Sequence, residues 1–379
     1  MEEKKIVLTK PYFSLDGDSC GDHKAPNLIQ RVLSLFKNVR PGSDLTKMQL
    51  PAHFNATKSF LQYFGESIYC VGSDMLGKCN SGESPLERFI AVVAWSISTM
   101  RPMIFGFAPY NSILGETHHV SRGSLNVLLE QISHHPPVTA LYATDEKDNL
   151  EVLCCLHPTP KFYGTSVEVV MHGKRKLKLL NHGETYTLSS PKIWVKFLPV
   201  PAIEWIGTCG IRCPETGLEA ELTYGGKSFL GLRGNARSIK GKIFDSSSLK
   251  PLYEIGGHWD RTITLKDLDS GETRVIYNAK EVLCGLKTPI VKDPKGVLPS
   301  EAAVVWGEVS QGILSGEWGK ATEAKKTVEE RQRELLRERK SRGETWIPKH
   351  FIVSYNKEDG WDCSPKEKIV PPASIVVPF

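Results

Sequence analysis

Between residues 138 and 277 the chain is dominated by short stretches in which apolar and polar residues alternate, separated by turn-forming sequences such as Asp269-Ser270-Gly271. Alternation with a period of two is typical of β-strands that have one face in a core. The predicted strands are 138–143, 150–156, 166–171, 193–197, 218–224, 238–244, 262–266 and 273–277. Closely spaced strands with few helices between them indicate an antiparallel sandwich or barrel, and the chain length favours a large barrel that can hold a ligand.

Helical patterns lie on both sides of this region. Near the N terminus, apolar residues recur at three- to four-residue spacing until Pro41-Gly42 ends the pattern. These apolar residues are Leu28, Ile29, Val32, Leu33, Leu35 and Phe36. Further helices are predicted around 59–64 and 85–100, and a long exposed helix over 321–340. The apolar stretch 89–100 is shorter than the roughly 18 residues that span a bilayer, so we expect a buried helix there.

The charge balance argues against one class of function. Charged residues make up 24% of the 379 residues, and the net charge is +5. Dedicated nucleic-acid-binding proteins usually carry a heavier basic excess on one face, whereas a small positive charge is compatible with loose attraction to anionic membranes. The nine cysteines are irregularly spaced and no apolar signal segment follows Met1. We therefore expect reduced thiols and a cytosolic protein.

The densest group of functional side chains is the run Glu-Gln-Ile-Ser-His-His-Pro-Pro at 130–137. Pro136 and Pro137 exclude a helix, because proline lacks an amide hydrogen and forces the preceding residue into an extended conformation. The segment therefore holds the imidazoles of His134 and His135 at fixed angles. A nearby phosphate raises the pKa of an imidazole, so this pair can become charged when an anion binds. A lone histidine is more often structural, but the His-His-Pro-Pro run favours a binding role.

Two other histidines, His118 and His119, follow Glu116, and together with the first pair they raise the question of a metal site. Adjacent side chains on an extended segment point in opposite directions, so each pair can offer one imidazole to a common ion. This spacing disfavours a metal, and we predict neither a metal nor a cofactor.

The long C-terminal helix carries a third group, formed by Lys325, Glu329 and Arg333. Steps of four residues advance about 40° around a helix axis, so the three side chains form one stripe. A ladder of ion pairs on a solvated face explains the charge pattern alone. The alternative is a cationic site in which Glu329 orients the two bases toward a phosphorylated headgroup.

These three groups together resemble the ligand-binding domain of the oxysterol-binding-protein-related family. Residues 130–137 match the family signature Glu-Gln-Val-Ser-His-His-Pro-Pro, with Ile132 in place of Val. Further matching segments follow the family order along most of the chain. They are Asp44-Leu45-Thr46-Lys47, Leu50-Pro51, Ser59-Phe60-Leu61-Gln62, Gly115-Glu116-Thr117, the segment 321–333 and the closing motif Trp346-Ile347-Pro348-Lys349-His350-Phe351.

The resemblance implies one lipid-binding domain over 1–379, mainly β with flanking helices, in which a large incomplete antiparallel barrel encloses a lipid tunnel. Within it we expect a lid helix at 27–39, a helical segment at 50–115, the barrel at 130–280, a helical segment at 300–342 and a closing tail at 343–379. The family's tunnel takes a sterol (in some members phosphatidylserine) or phosphatidylinositol 4-phosphate as its bound lipid. The expected headgroup-binding residues are His134, His135, Lys325, Glu329, Arg333 and Asn111.

The resemblance also implies a monomeric carrier that contacts membranes peripherally and reversibly. Its expected location is the cytosol and the surface of intracellular membranes, with the endoplasmic reticulum, its contact sites and a receptor there as partners. We predict a lipid-transfer protein and not an enzyme, because no Gly-x-Ser-x-Gly or His-Glu-x-x-His motif is present. A lipid sensor that does not transport, and a lipid hydrolase that uses the histidines and Glu116, remain the alternatives.

Two positions depart from the family pattern. Ala108 stands where the family has a headgroup-binding lysine, and loss of one charge-assisted contact weakens binding by about ten- to a hundredfold. The segment Ala56-Thr57-Lys58 replaces the usual Glu-Pro-Leu. Lys58 is therefore a candidate for the missing charge.

Overall fold

Eight helices and a short 3-10 turn are present in the computed structural model, which describes residues 5–378 apart from 12, 14, 16–27, 71–73, 199, 226–235 and 359. The helices are α1 (Leu28–Leu35), α2 (Phe60–Tyr69), α3 (Met75–Ser81), α4 (Pro85–Ser98), α5 (Ala279–Leu283), α6 (Ala302–Val305), α7 (Gly307–Leu314) and α8 (Trp318–Ser341). The predicted helices around 59–64, 85–100 and 321–340 correspond to α2, α4 and α8.

The strands account for most of the remaining regular structure. They are β1 (Asn55–Ser59), β2 (Ala108–Tyr110), β3 (Thr117–Arg122), β4 (Leu125–Ser133), β5 (Val138–Asp145), β6 (Leu150–Phe162), β7 (Ser166–His172), β8 (Arg175–Leu179), β9 (Glu184–Leu188), β10 (Lys192–Lys196), β11 (Ala202–Cys213), β12 (Leu218–Tyr224), β13 (Ser238–Asp245), β14 (Pro251–His258), β15 (Thr262–Asp267), β16 (Thr273–Asn278), β17 (Ile290–Val291), β18 (Phe351–Asn356), β19 (Gly360–Pro365) and β20 (Ile375–Val376). All eight predicted strands overlap strands in the structure.

One large sheet forms the body of the protein. Its strands follow the order β16-β15-β14-β13-β12-β11-β10-β7-β6-β5-β4-β3-β20-β17. The neighbours are antiparallel except β20 and β3, and the two long strands β6 and β11 also pair with the side strands β8 and β9. Within the described part of the chain the end strands β16 and β17 do not pair with each other, so the barrel is incomplete, as predicted.

The boundaries within the domain differ from those predicted. The large sheet begins at β3, before residue 130, and the 50–115 segment contains β1 and β2 as well as helices. The closing tail contributes β20 to the sheet. Strand β4 was not predicted because eight of its nine residues are buried, and a strand buried on both faces shows no alternation.

Helix α4 packs against α3 and the strands β12 and β16 in the main hydrophobic core. Ser84 and Glu87 form a capping box at its start, and Pro85 occupies the first turn, where its missing amide hydrogen costs nothing. Phe89 and Trp95 are fully buried in the main hydrophobic core. No helix in the described ranges is both long and apolar enough to cross a membrane.

The N-terminal helix is shorter than the predicted 27–39. Helix α1 ends at Leu35, where two turns replace it, with hydrogen bonds from Phe36 N to Leu33 O and from Val39 N to Phe36 O. The ring of Phe36 stacks on Phe162 and Phe197, with centroids 4.8 and 5.0 Å away. The stacking holds the chain that leaves the helix against β6 and the end of β10. Asn27 and the Leu28 side chain lie outside what the structure describes.

One buried ion pair fixes α4 to the barrel. Arg88 donates from Nε and Nη2 to the two carboxylate oxygens of Glu184 on β9, at 2.9 and 2.5 Å, and the Tyr186 hydroxyl donates to the same carboxylate. Both charged side chains are less than 8% exposed. These donors hold the pKa of Glu184 below its ordinary value although burial opposes them.

We predict that Arg88→Met destabilises the protein by about 3–5 kcal/mol, because it leaves the Glu184 carboxylate buried without its partner. The double variant R88M/E184M removes both charges and should recover most of that loss. Urea unfolding followed by circular dichroism measures both. Equal destabilisation by the single and double variants would contradict the assigned role of the pair.

Candidate functional site

A cavity of about 780 Å³ opens where the β4–β5 connection faces α8 and the closing tail; we call it the polar cavity. The segment 46–50 forms another of its walls. The structure brings all the predicted headgroup-binding residues to this one cavity: Asn111, His134, His135, Lys325, Glu329 and Arg333. They come from three distant parts of the sequence, and the packing of α8 on α7 and on the 3-10 turn Ala52–Phe54 brings its residues to the other two.

The histidine pair lies in the short connection between β4 and β5. The ring centroids of His134 and His135 are 4.4 Å apart, and His134 Nδ1 donates to the Ser112 carbonyl at 2.9 Å. A carbonyl oxygen only accepts hydrogen bonds, so Nδ1 carries the proton and Nε2 remains for a ligand. Burial lowers the pKa of His134, and the neighbouring His135 adds a smaller effect in the same direction. The pKa of His135 is lowered by burial and, to a smaller extent, by Lys47. Both imidazoles are therefore neutral near pH 7.

The charged stripe of α8 faces the same cavity. Lys325 is the deepest member, only 7% exposed, and its ammonium donates to Asn55 Oδ1 at 2.7 Å and to the Leu50 carbonyl. The carboxylate of Glu329 lies between the two bases, with Oε1 3.8 Å from Lys325 Nζ and Oε2 3.7 Å from Arg333 Nη2. The ion-pair ladder and the cavity wall are thus the same set of side chains. Burial lowers the pKa of Lys325, and Glu329 partly opposes that effect.

Lys58 does not supply the charge that Ala108 lacks. Its ammonium is ion-paired with Glu66, both side chains are buried, and neither residue lines the polar cavity. Lys47, in the matched segment 44–47, lines the cavity beside His135. The sequence motif contained Lys47, but nothing in the sequence distinguished it from other surface lysines.

Two buried carboxylates that are not among the predicted headgroup-binding residues shape its walls. Glu116 accepts hydrogen bonds from Ile113 N at 3.0 Å and from Trp306 Nε1 at 2.9 Å, and it thereby fixes the loop that carries Asn111. Glu130 accepts from the Lys349 and His350 amides at 2.7 and 2.8 Å. Because Glu130 lies on β4, which leads directly into the histidine pair, it anchors the closing motif beside the imidazoles.

One glycine is required for the tail to approach. Gly115 has a positive φ of 79°, and a Cβ built on it would lie 2.7 Å from the ring of Trp346. That distance is too short for any side chain, so a glycine is needed here both for the backbone conformation and for the contact. Trp346 in turn lines the polar cavity.

The other histidine pair, His118 and His119, makes hydrogen bonds outside the polar cavity. His118 is 1% exposed, with Nδ1 2.6 Å from Glu301 Oε1 and Nε2 3.0 Å from the Tyr69 hydroxyl. His119 contacts the Pro371 carbonyl at 2.8 Å through Nε2. The pair and Glu116 do not line the polar cavity. The grouping considered for a hydrolase or a metal is therefore not assembled there.

A second cavity, of about 280 Å³, lies beneath α1; we call it the apolar cavity. Val32, Leu35 and Phe36 of the predicted lid line it. Ile29 and Leu33 do not, and they are 44% and 36% exposed, because they lie on the opposite side of α1. The sequence pattern had grouped them with the inward-facing residues. The apolar cavity shares Met48 and Leu50 with the polar cavity, so the two spaces adjoin.

Comparison with known proteins gives a consistent picture. The family model for oxysterol-binding protein matches residues 32–311. Oxysterol-binding protein-related protein 4C of Arabidopsis thaliana is 56% identical over 380 residues, which cover 100% of both chains.

Solved structures resemble the fold. The Osh1 ORD domain in complex with cholesterol gives a TM-score of 0.72 at 20% identity, covering 96% of this chain and 90% of that one. The Osh3 ORD of Saccharomyces cerevisiae in complex with PI(4)P gives 0.69 at 21% identity, covering 96% and 95%. At these identities the likeness establishes the barrel architecture.

We predict that the Glu116 carboxyl makes stability depend on pH. Burial raises its pKa from 4.5 to about 7, so its favourable contribution is complete below pH 4.5 and is lost as the pH rises through 7. Glu116→Gln keeps a neutral acceptor and should remove this loss, which amounts to about 3 kcal/mol. Urea unfolding between pH 5 and 8 measures the difference. Parallel pH profiles for both proteins would contradict it.

Proposed function

Because the chain belongs to the oxysterol-binding protein family, we propose that it carries one membrane lipid at a time and exchanges it between membranes. The observation that supports this most directly is the adjacency of the two cavities. Cationic and imidazole groups form part of the wall of one, aliphatic and aromatic side chains line the other, and they share Met48 and Leu50. Such a pair of spaces suits a ligand with a charged head and an apolar body.

A phosphorylated headgroup is the ligand that the polar cavity fits best. Lys325, Arg333 and Lys47 present positive charge, and His134 offers Nε2. The lowered pKa values favour neutral histidines near pH 7, but an adjacent phosphate raises the pKa of an imidazole and favours proton uptake. Binding should therefore strengthen as the pH falls. The complexes of related domains with PI(4)P and with cholesterol make phosphatidylinositol 4-phosphate and a sterol the proposed ligands of this chain.

The apolar body of the lipid needs shielding during transfer. Exposing one sixteen-carbon tail to water costs about 13 kcal/mol at ~0.8 kcal/mol per CH₂. The lid over the apolar cavity is held by Val32 and by the Phe36 ring stack, a small contact that can break and re-form. The apolar cavity, at 280 Å³, is slightly smaller than typical ligand pockets of about 300–1,000 Å³. We expect the lid and segment 46–50 to move apart on loading.

No step in this cycle requires catalysis or an added cofactor. The lipid is extracted, enclosed and released without any bond being broken, and the net direction follows the lipid gradient between membranes. We propose that the protein binds peripherally and reversibly to the cytosolic surfaces of membranes, including that of the endoplasmic reticulum. A transfer assay between two vesicle populations separates this carrier from a sensor that retains its lipid.

We predict that His134→Ala/His135→Ala abolishes extraction of phosphatidylinositol 4-phosphate and leaves sterol extraction within about twofold of wild type, because the pair contacts only the headgroup. Extraction is measured by incubating the protein with liposomes that carry each labelled lipid and recovering the protein free of vesicles.

The matched control for this variant is His157→Ala/His172→Ala. These two histidines also face each other, with ring centroids 5.5 Å apart, and they lie outside the polar cavity. Equal loss of both lipids in the His134/His135 variant would mean that the pair is structural. Turnover of bound lipid, detected by mass spectrometry, would favour the hydrolase.

We predict that Lys47→Ala lowers affinity for phosphatidylinositol 4-phosphate by about tenfold, because Lys47 is the exposed base beside His135 in a chain with alanine at 108. Sterol affinity should not change. Lys320→Ala, an exposed lysine on α8 outside the cavity, is the control. Lys47→Ala binding as tightly as wild type would exclude Lys47 from the headgroup contacts.

A further inference from the structure

Large apolar side chains are exposed around the lid. Ile29 and Leu33 project from the outer face of α1 with 44% and 36% of their surface exposed. Tyr163, in the β6–β7 turn, is 49% exposed, and Leu198 and Val200, in the β10–β11 connection, are 43% and 66% exposed. These five residues define what we call the docking face.

Backbone contacts place the three segments of the docking face together. The β6–β7 turn and the end of β10 are joined by a hydrogen bond from Phe197 N to the Thr165 carbonyl at 2.9 Å. Lys196 pairs with Ser166 on one side and with Ala202 on the other, so the β10–β11 connection projects beside the turn.

Helix α1 is attached to the same edge. Phe36 stacks on Phe162 and Phe197, which directly precede the exposed Tyr163 and Leu198. The chain after the helix continues along β6, with hydrogen bonds between Gly42 N and the Phe162 carbonyl and between Phe162 N and the Ser43 carbonyl. Phe36 and Phe197 line the apolar cavity, and the exposed apolar residues beside them face solvent. The docking face therefore lies beside the helix that covers the apolar cavity.

The same segments carry a basic excess. Residues 28–45, 157–168 and 192–204 contain six lysines and arginines against three acidic residues. They are Arg31, Lys37, Arg40, Lys161, Lys192 and Lys196 against Asp44, Glu168 and Glu204. Lys192 neutralises Glu168 at 3.1 Å. The ammonium group of Lys161 lies over the Tyr163 ring, and that of Lys196 lies over the Trp194 ring. Positive charge therefore lies next to the aromatic side chains of these segments.

We propose that the docking face inserts its apolar side chains into an anionic phospholipid bilayer, with Lys161 and Lys196 at the level of the headgroup phosphates. The inference rests on the proposed function, because it names the surface through which the carrier meets a membrane. Exposed apolar groups with a basic border are the combination that interfacial membrane binding uses. Ile29 and Leu33 are exposed while α1 covers the apolar cavity, so this surface is available to a bilayer before the lid moves.

The experiment is co-sedimentation of the full chain with vesicles of phosphatidylcholine alone or with 30 mol% phosphatidylserine, neither containing a phosphoinositide. We expect wild-type binding to require the anionic lipid and to weaken with salt. Leu198→Asp/Val200→Asp and Lys161→Glu/Lys196→Glu should each weaken binding by about tenfold or more.

Matched controls lie elsewhere on the sheet. Val275→Asp changes an equally exposed apolar residue on β16, at the far end of the strand order from β10, and Lys240→Glu/Lys266→Glu reverses two exposed lysines on β13 and β15. Both should bind vesicles like wild type. Docking-face variants that bind as wild type, or controls that lose binding equally, would overturn the proposal.

A second measurement separates this inference from the proposed function. Loading with a sterol or phosphatidylinositol 4-phosphate from detergent micelles needs no bilayer. We expect the docking-face variants to load normally in detergent but to extract lipid slowly from vesicles. A wild-type protein that loads neither lipid from detergent would refute the carrier function itself. Normal loading together with unchanged vesicle binding by the variants would refute only the docking face.

Discussion

The geometry of the site depends on the hydrogen bonds that the buried carboxylate of Glu130 accepts from the closing tail. Glu130 lies on β4, fully buried, and accepts the amide hydrogens of Lys349 and His350 from a segment about 220 residues away. Burial raises the pKa of this carboxyl, and the two amide donors oppose that effect. A buried carboxylate without these partners would be costly. The contact therefore ties the closing tail to the strand that continues into the histidine pair.

The remaining walls follow from that attachment. The tail brings Phe351 into a hydrophobic cluster on the outer side of β4 and β5, and it brings Trp346 against Gly115. Glu116, next to Gly115, holds the preceding loop through Trp306 on the helical segment before α8. Two carboxylates thus connect the barrel, the tail and the C-terminal helices. This arrangement makes the polar cavity a product of distant segments that are locked together.

The electrostatics of the polar cavity favour an anionic guest. Burial lowers the pKa of His134, His135 and Lys325, so positive charge on these side chains is unfavourable without an anionic partner. A phosphate would replace lost hydration and compensate the charge, and both effects favour the protonated forms. Among the described residues, no histidine, lysine or arginine lines the adjoining apolar cavity. The division of the ligand into a charged and an apolar part is therefore built into neighbouring walls that share Met48 and Leu50.

The sequence by itself determined the local properties. Alternation predicted eight strands, the helix patterns predicted α2, α4 and α8, and the paired prolines excluded a helix at His134 and His135, because these features depend on a few neighbouring residues. The short motifs, taken together, also indicated which side chains to expect at the site. Strands such as β4, which are buried on both faces, carried no periodic signal.

Only the tertiary structure decided which similar residues do different things. Lys58 is paired with Glu66 inside the protein and Lys47 faces the polar cavity, although the two lysines lie close together in the sequence. Ile29 and Leu33 face solvent while Val32 faces the apolar cavity. The physical reason is that a side chain's environment is set by contacts with residues far along the chain. Such contacts depend on how strands and helices pack, and local patterns do not record them.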